Sequence, residues 1–243
     1  KLVRTFGETG QKPGQFEFAD FGAIGLDGDS DVYVLDTGNE RVQKFTPGLK
    51  FDLEWGKSGL EPGEFQHPSD IAVREDGMVF VVDALSGQVQ QFDSSGTFVR
   101  EIVPTEIADQ FYEPARLGLD AAGNLYVPDL TRIYVFDPNG TLSRTIQTNE
   151  VGNGEVYVAN SAAVSESGFI YVSDWQSNRI AVFDPDGVFV GYLGSYGTGP
   201  GQFNEVDTLV TDDTGRLLVL DFVNRRIQVF KLTEPPAGTP IAA

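Results

Sequence analysis

The chain has 243 residues, with 36 Asp and Glu against 17 Lys and Arg, so its formal charge is 17 − 36 = −19 with the one His neutral. At 40% hydrophobic and 22% charged residues it can build a core and is not a disordered chain, and its length allows one large all-β domain or two small ones. The charge excludes nucleic acid as a natural partner, since phosphates are held by clustered Lys and Arg; zero Cys removes disulfides and thiolate chemistry, and a lone His67 excludes mechanisms needing two imidazoles.

In chain order, LVRTFG (2–7) comes first and reads as a single strand. Five copies of one unit follow. The first holds AIGL (23–26), VYVLDTGNERVQKF (32–45) and FDLEW (51–55); the second DIAV (70–73), VFVVDALSGQVQQF (79–92) and FVREI (98–102). RLGL (116–119), LYVPDLTRIYVF (125–136) and LSRTI (142–146) form the third, and AAV (162–164), IYVSDWQSNRIAVF (170–183) and FVGYL (189–193) the fourth. The fifth stops after TLVT (208–211) and LLVLDFVNRRIQVF (217–230).

Each unit predicts four short antiparallel strands. The turns sit at Ser30, Gly77, Gly123, Gly168 and Gly215 and at DSSG (93–96), DPNG (137–140) and DPDG (184–187). No helical period of useful length interrupts them. Asp36, Asp83, Asp129, Asp174 and Asp221 recur at spacings of 47, 46, 45 and 47, and Phe45, Phe92, Phe136, Phe183 and Phe230 keep step. Upstream aromatics Phe16, Phe65, Phe111 and Phe203 do so too, with Val156 in the fourth unit.

Four-stranded units repeated at this period predict an all-β fold, a β-propeller of five blades over 1–232. Its ring would be closed by the N-terminal strand completing the last blade. The Pro/Ala/Thr-rich stretch 233–243 reads as a linker or tail. No window approaches the ~20 apolar residues of a membrane helix, and no basic-then-apolar leader opens the chain. With Lys1 first and Met78 the only Met, the expectation is a piece of a longer protein.

The stretches GLEPGEFQHPSDIAVREDG (59–77), GTGPGQF (197–203), SDWQSNRIAVF (173–183) and LDFVNRRIQVF (220–230) resemble the NHL-repeat family of propellers. The resemblance covers 1–232. Such propellers more often have six blades, so it implies either a five-bladed member or a blade outside this chain. Amidating lyases that share the fold need several His for zinc, which this chain lacks. Lactonase-type propellers use Glu, Asn and Asp sets at the channel mouth. That resemblance makes Asp20, Asp70, Glu113, Asn160, Glu205 and Asp207, which precede or open first strands, the metal candidates, with calcium as the hard ion suited to them. Asp27-Gly28-Asp29-Ser30-Asp31 has the alternating acids of a calcium loop without its later Gly and Glu, and reads as a turn.

Asp36, Asp129, Asp174 and Asp221 are followed by Arg41, Arg132, Arg179 and Arg226, while Asp83 is followed by Gln88. These read as structural hydrogen-bonded pairs across a short loop. Leu85, Leu130, Trp175 and Phe222 in those loops, with Ala84 and Val223, are candidates for a binding face. Arg116, the one basic residue opening a first strand, could pair with Asp70 or Asp207 or hold an anionic group. The reading is a non-catalytic domain that binds a protein or small ligand, without a cofactor, nucleic acid or membrane span, in a larger extracytoplasmic protein. Low Lys, with six in all, the absence of Cys and the linker favour that location. The alternative is a calcium-dependent lactonase-, esterase- or lyase-like enzyme with carboxylates at the channel mouth.

Overall fold

The computed structural model describes residues 4–19, 22–104, 111–148 and 155–233, which form β-strands, turns and one 3-10 turn at Thr37–Asn39. The chain divides into two compact units, residues 1–111 and 112–243. The first holds blades 1 and 2. The second holds blades 3, 4 and 5.

In unit 1, blade 1 comprises Ala23–Leu26, Val32–Asp36, Arg41–Phe45 and Phe51–Trp55, and blade 2 comprises Pro68–Val73, Val79–Asp83, Gln88–Phe92 and Phe98–Ile102. In unit 2, blade 3 is Gly118–Leu119, Leu125–Asp129, Arg132–Phe136 and Leu142–Gln147. Blade 4 is Ala159–Val164, Ile170–Asp174, Arg179–Phe183 and Phe189–Leu193, and blade 5 is Val206–Thr211, Arg216–Asp221 and Arg226–Lys231. Within each blade the strands follow one another in chain order and pair antiparallel, as hairpin connections of this length require, while the connectors add two short parallel pairs, Glu8–Thr9 with Gln15–Phe16 and Ser195–Tyr196 with Gln202–Phe203. The chain is thus all-β with five blades of the propeller kind. The fourth strand expected for blade 5 falls partly on residues 1–3, outside the described residues. Within 4–7, Arg4 donates to the Gly48 carbonyl, and Phe6 packs edge-on against Phe16 and Phe45 of unit 1 at 5.6 and 4.7 Å. Residues 234–243 of the expected tail also lie outside the described residues.

Second strands of blades 2, 3 and 4 are buried on both faces, so their β-branched and aromatic residues run without polar alternation. The reason is blade-on-blade packing. In unit 1, Val42 of blade 1 meets Phe65, Ile71, Val79 and Val81 of blade 2. In unit 2, Ile133 and Val135 of blade 3 meet Val156, Ala159, Ala162 and Val164 of blade 4. Ile180 and Val182 of blade 4 meet Phe203, Val206, Leu209, Leu217 and Val219 of blade 5. First strands take small residues because they run close together. A Cβ on Gly118 would meet the Ala162 carbonyl oxygen, well inside van der Waals contact.

Candidate functional site

The five repeated Asp end the second strands, are buried, and each accepts a backbone N–H from the connector that enters its blade. Asp36 accepts from Glu17, Asp83 from Gln66 and His67, Asp129 from Tyr112 and Glu113, Asp174 from Tyr157 and Val158, and Asp221 from Asn204. A carboxylate is the right group here, since it offers only acceptors to a cluster of donors.

The Arg partners vary. Arg41 and Arg226 donate through Nε to Asp36 and Asp221 at 2.8 and 2.7 Å, and their Nη2 atoms donate to connector carbonyls of Gln15 and Gln202. In blade 4 the Ser177 hydroxyl stands between, donating to Asp174 and accepting from Arg179 at 3.1 Å, while the Arg179 guanidinium lies over the Tyr192 face at 3.9 Å. Arg132 follows a two-residue turn and turns instead to Gln147 and Tyr134. Burial works against the charged carboxylate of Asp221, but the Asn204 N–H, the Asn224 amide and Arg226 outweigh it and hold its pKa below the usual carboxylate range.

A second repeated device escaped the sequence reading. Gln43, Gln90 and Gln228 each accept the N–H of a left-handed connector glycine, Gly14, Gly63 and Gly201, and donate to the carbonyl of the next residue, Gln15, Glu64 and Gln202. The Pro-Gly-Gln/Glu-Phe connector and this Gln occur together in blades 1, 2 and 5 and are both missing from blades 3 and 4, where Tyr134 and Ala181 take the Gln position. That correlation was available in the sequence.

These staples fix one end of each blade, where the loop after the Asp lies against the connector. In unit 1, Ala84 donates to the His67 carbonyl and Leu85 is exposed beside it. In unit 2, Trp175 donates to the Val158 carbonyl, Phe222 to Glu205 and Val223 to Asn204, and the Ala159 N–H donates to Leu130. Trp175, Phe222 and Val223 are exposed, and Leu130 is half-buried in a tight left-handed turn with φ 54°. The same end of unit 2 carries exposed Tyr112 and Tyr157, which the sequence reading missed. Only the connector N–H bonds to Asp129 and Asp174 place them there, and no repeat marks them, because Gln66 and Asn204 stand at those positions in blades 2 and 5.

At the start of the first strands in unit 2, Arg116 forks onto Asp207, with Nη2 2.9 Å from Oδ2 and Nε 3.2 Å from Oδ1. Asn160 donates to the Asp207 carbonyl and Oδ1, and Thr208 donates to Oδ2. Of the two partners expected for Arg116, Asp207 is the one it meets within unit 2. Asn160 joins them. Glu113 lies apart, its N–H on Asp129, and Glu205 has its N–H on Asn178. Asp70 is buried on the first strand of blade 2 in unit 1, and Asp20 is outside the described residues. Among the described residues no group of three or more His, Cys, Asp and Glu could hold a metal ion. The Asp27 segment is a turn in which Oδ1 accepts the N–H groups of Asp29 and Asp31 and Oδ2 accepts from the Tyr33 hydroxyl. Burial pushes the Tyr33 phenol up to about 12, helped by Asp27 and opposed by Lys44.

A family described as a 6-bladed beta-propeller matches residues 163–239. Protein brain tumor of Drosophila melanogaster is 28% identical over 141 residues, which is 56% of this chain and 13% of that protein, so the chain spans a small part of that relative. Among solved structures, virginiamycin B lyase from Staphylococcus aureus superposes with a TM-score of 0.61 at 10% identity, over 87% of this chain and 70% of the lyase. A catalytically inactive His-to-Ala variant of that lyase with quinupristin gives 0.60 at 12%, over 88% and 70%. A protein of unknown function from Bacteroides caccae gives 0.59 at 12%, over 82% and 70%. At these identities the structural likenesses speak for the fold alone. With its repeats in register and its five blades the chain is an all-β propeller, and its likeness in sequence to Protein brain tumor makes it similar to propellers of the NHL type.

Proposed function

We propose that the chain is a binding module that holds a protein partner on the stapled loop end of blades 3 to 5, with no chemistry of its own. One observation carries the reading: Tyr112, Tyr157, Trp175 and Phe222 are exposed together at the end of unit 2 where buried Asp residues fix the backbone. Aromatic anchors on a rigid frame are what protein interfaces spend their affinity on, because little side-chain entropy is lost on binding. Glu113 and Glu205 flank them, and the whole chain carries −19, so the partner surface is basic. The same reading puts the domain in an extracytoplasmic protein, supported by the low Lys content and the absence of Cys. An enzymatic reading has less support: the lyase likeness reaches only the fold, and Asp207 is already neutralised by Arg116.

The test compares the native chain with a Trp175→Ala/Phe222→Ala double variant and with Val99→Ala, an exposed residue elsewhere, as immobilised baits. The expected result is a protein retained by native chain and Val99→Ala, weakened at least tenfold in the double variant at unchanged Tm, and released by salt. Equal retention by all three baits refutes the reading.

A further inference from the structure

The stapled end of blade 4 already holds one arginine, and the means of holding it recur beside it without an arginine in place. The Arg179 guanidinium lies 3.9 Å from the centre of the Tyr192 ring, while its Nε donates to the Ser177 hydroxyl, which donates on to Asp174. An aromatic face with a carboxylate at its edge is what a planar guanidinium takes.

The neighbouring pair is Tyr157 and Glu155. Tyr157 is 51% exposed, and its N–H donates to Asp174, which ties its backbone to the same buried carboxylate. Its hydroxyl reaches Glu155 Oε2 only at 3.5 Å, a long contact. Among the described residues the Glu155 carboxylate meets nothing else, so no Lys or Arg answers its charge there. The backbone beneath it is fixed, since the Glu155 carbonyl accepts from the Tyr192 hydroxyl at 3.1 Å. Trp175, 50% exposed, stands next to the pair, its N–H on the carbonyl of Val158, one residue from Tyr157. Burial holds the Tyr192 phenol above its ordinary value against Arg179, and Glu155, Asp174 and Tyr157 add to the rise, as side chains gathered in one small region do.

We infer that Glu155, Tyr157 and Trp175 form a site for an arginine side chain of the protein partner, its guanidinium on the exposed aromatic face and its N–H fork on the Glu155 carboxylate. The inference rests on the reading of this end as a protein-binding surface, and names what that surface selects. Arg is favoured over Lys because a flat, weakly hydrated guanidinium stacks on a ring and forks onto a carboxylate at once, whereas an ammonium is a strongly hydrated point charge. Asp174 answers Arg179 through Ser177, which leaves Glu155 as the acid without a cation, in a chain of net charge −19. An uncharged ligand would stack on the rings and leave that carboxylate unanswered.

The chain has two Trp, so its 15N-labelled form gives two indole N–H signals, one from surface Trp175 and one from Trp55, which packs against Tyr33 and Phe92 in unit 1. Trp175→Phe assigns them. Acetyl-Gly-Arg-Gly-amide is titrated against its Lys and Gln counterparts at one ionic strength. The expected result is a saturable shift of the Trp175 signal with Trp55 unmoved, and binding of the Lys and Gln peptides at least tenfold weaker. Glu155→Gln should lose at least fivefold in affinity at unchanged Tm, whereas Glu166→Gln, exposed in the turn at the other end of the same strands, should bind as the native chain does. Equal affinity for the Arg and Lys peptides overturns the inference in favour of diffuse attraction to an acidic surface, equal affinity for the Arg and Gln peptides overturns it in favour of plain stacking, and an undiminished affinity in Glu155→Gln overturns it outright. Glu155→Gln also joins the immobilised baits. A partner lost from the Trp175→Ala/Phe222→Ala variant but held equally by the native chain and Glu155→Gln overturns the arginine site and leaves the surface reading standing, whereas retention by the double variant as well overturns both.

Discussion

Asp221 shows how much one buried carboxylate can be asked to do. Its two oxygens accept from the Asn204 N–H at 2.8 Å, the Asn224 amide, Arg226 Nε at 2.7 Å and the Gln228 amide. Every neighbour is a donor. Asp221→Asn keeps the size but turns an NH2 toward those donors and leaves Arg226 without its carboxylate, so a loss of about 3 kcal/mol at pH 7 is expected. The pH dependence follows from the direction of the shift. Because the folded pKa lies below the unfolded one of about 3.9, the carboxylate stabilises the fold at pH values above that, and this contribution is lost as pH falls through the folded value. Melts of both proteins should therefore differ by a constant amount from pH 8 to 5 and converge toward pH 3. A gap that persists undiminished at pH 3 would assign the loss to packing rather than charge.

The strand order and the repeated Asp were legible in the sequence because two periods reinforce each other there, two residues along a strand and about 47 along the chain. The direct Asp36–Arg41 and Asp221–Arg226 bonds follow from loops of equal length. The detour through Ser177 does not, since Asp174 and Arg179 have the same spacing and only the folded loop puts a hydroxyl between them. The aromatic end was half legible: Trp175 and Phe222 follow the Asp in sequence, whereas Tyr112 and Tyr157 reach it from another element. Exposure is a tertiary property, which is also why the exposed Ile227 and Val229 of blade 5 could not be read from RIQVF, a string that differs from the buried RIAVF of blade 4 at one residue.

Among elements, the Pro-Gly-Gln/Glu-Phe connectors depend most on a partner. Each has only a two-residue parallel ladder or a single bridge of its own, Glu8–Thr9 with Gln15–Phe16, Ser195–Tyr196 with Gln202–Phe203 and Ser58 with Phe65, and a third-strand Gln supplies a further donor and acceptor. Gln90 is buried and, unlike Gln43 and Gln228, has no Arg beside its Asp; its amide lies between the Gly63 N–H at 2.8 Å and the Glu64 carbonyl at 2.8 Å. Gln90→Leu preserves volume and leaves both backbone groups unpaired, so about 2–4 kcal/mol should be lost, or a Tm fall on the order of 5–10 °C. Tyr134→Phe, at the matching position of blade 3 where no such clamp exists, should cost less. Thermal denaturation of the two variants checks this, and an equal or larger fall for Tyr134→Phe would count against the clamp.

For the whole molecule the dominant quantity is its charge. A net −19 repels itself in the folded state more than in the expanded one, and the Debye length falls from about 30 Å at 0.01 M salt to about 8 Å at 0.15 M. Stability should thus rise with NaCl, although Arg116–Asp207 and Lys44–Asp31 weaken slightly as they are screened, because these pairs are largely shielded from solvent while most of the acids are not. Calcium separates this general effect from a specific one. A hard cation needs six or more oxygens, and the carboxylate of Asp207 already faces a guanidinium at 2.9 Å, so a cation placed there would have to displace Arg116 first. After treatment with chelator, CaCl2 and NaCl at matched ionic strength should give the same Tm. A further rise of several degrees with calcium alone would mean a built oxygen site, since a ligand that binds only the native state raises its midpoint by mass action. In that event Asp207→Asn and Arg116→Gln would locate it: a site at the first strands loses the calcium response in Asp207→Asn and gains affinity in Arg116→Gln, whereas a site elsewhere responds to neither.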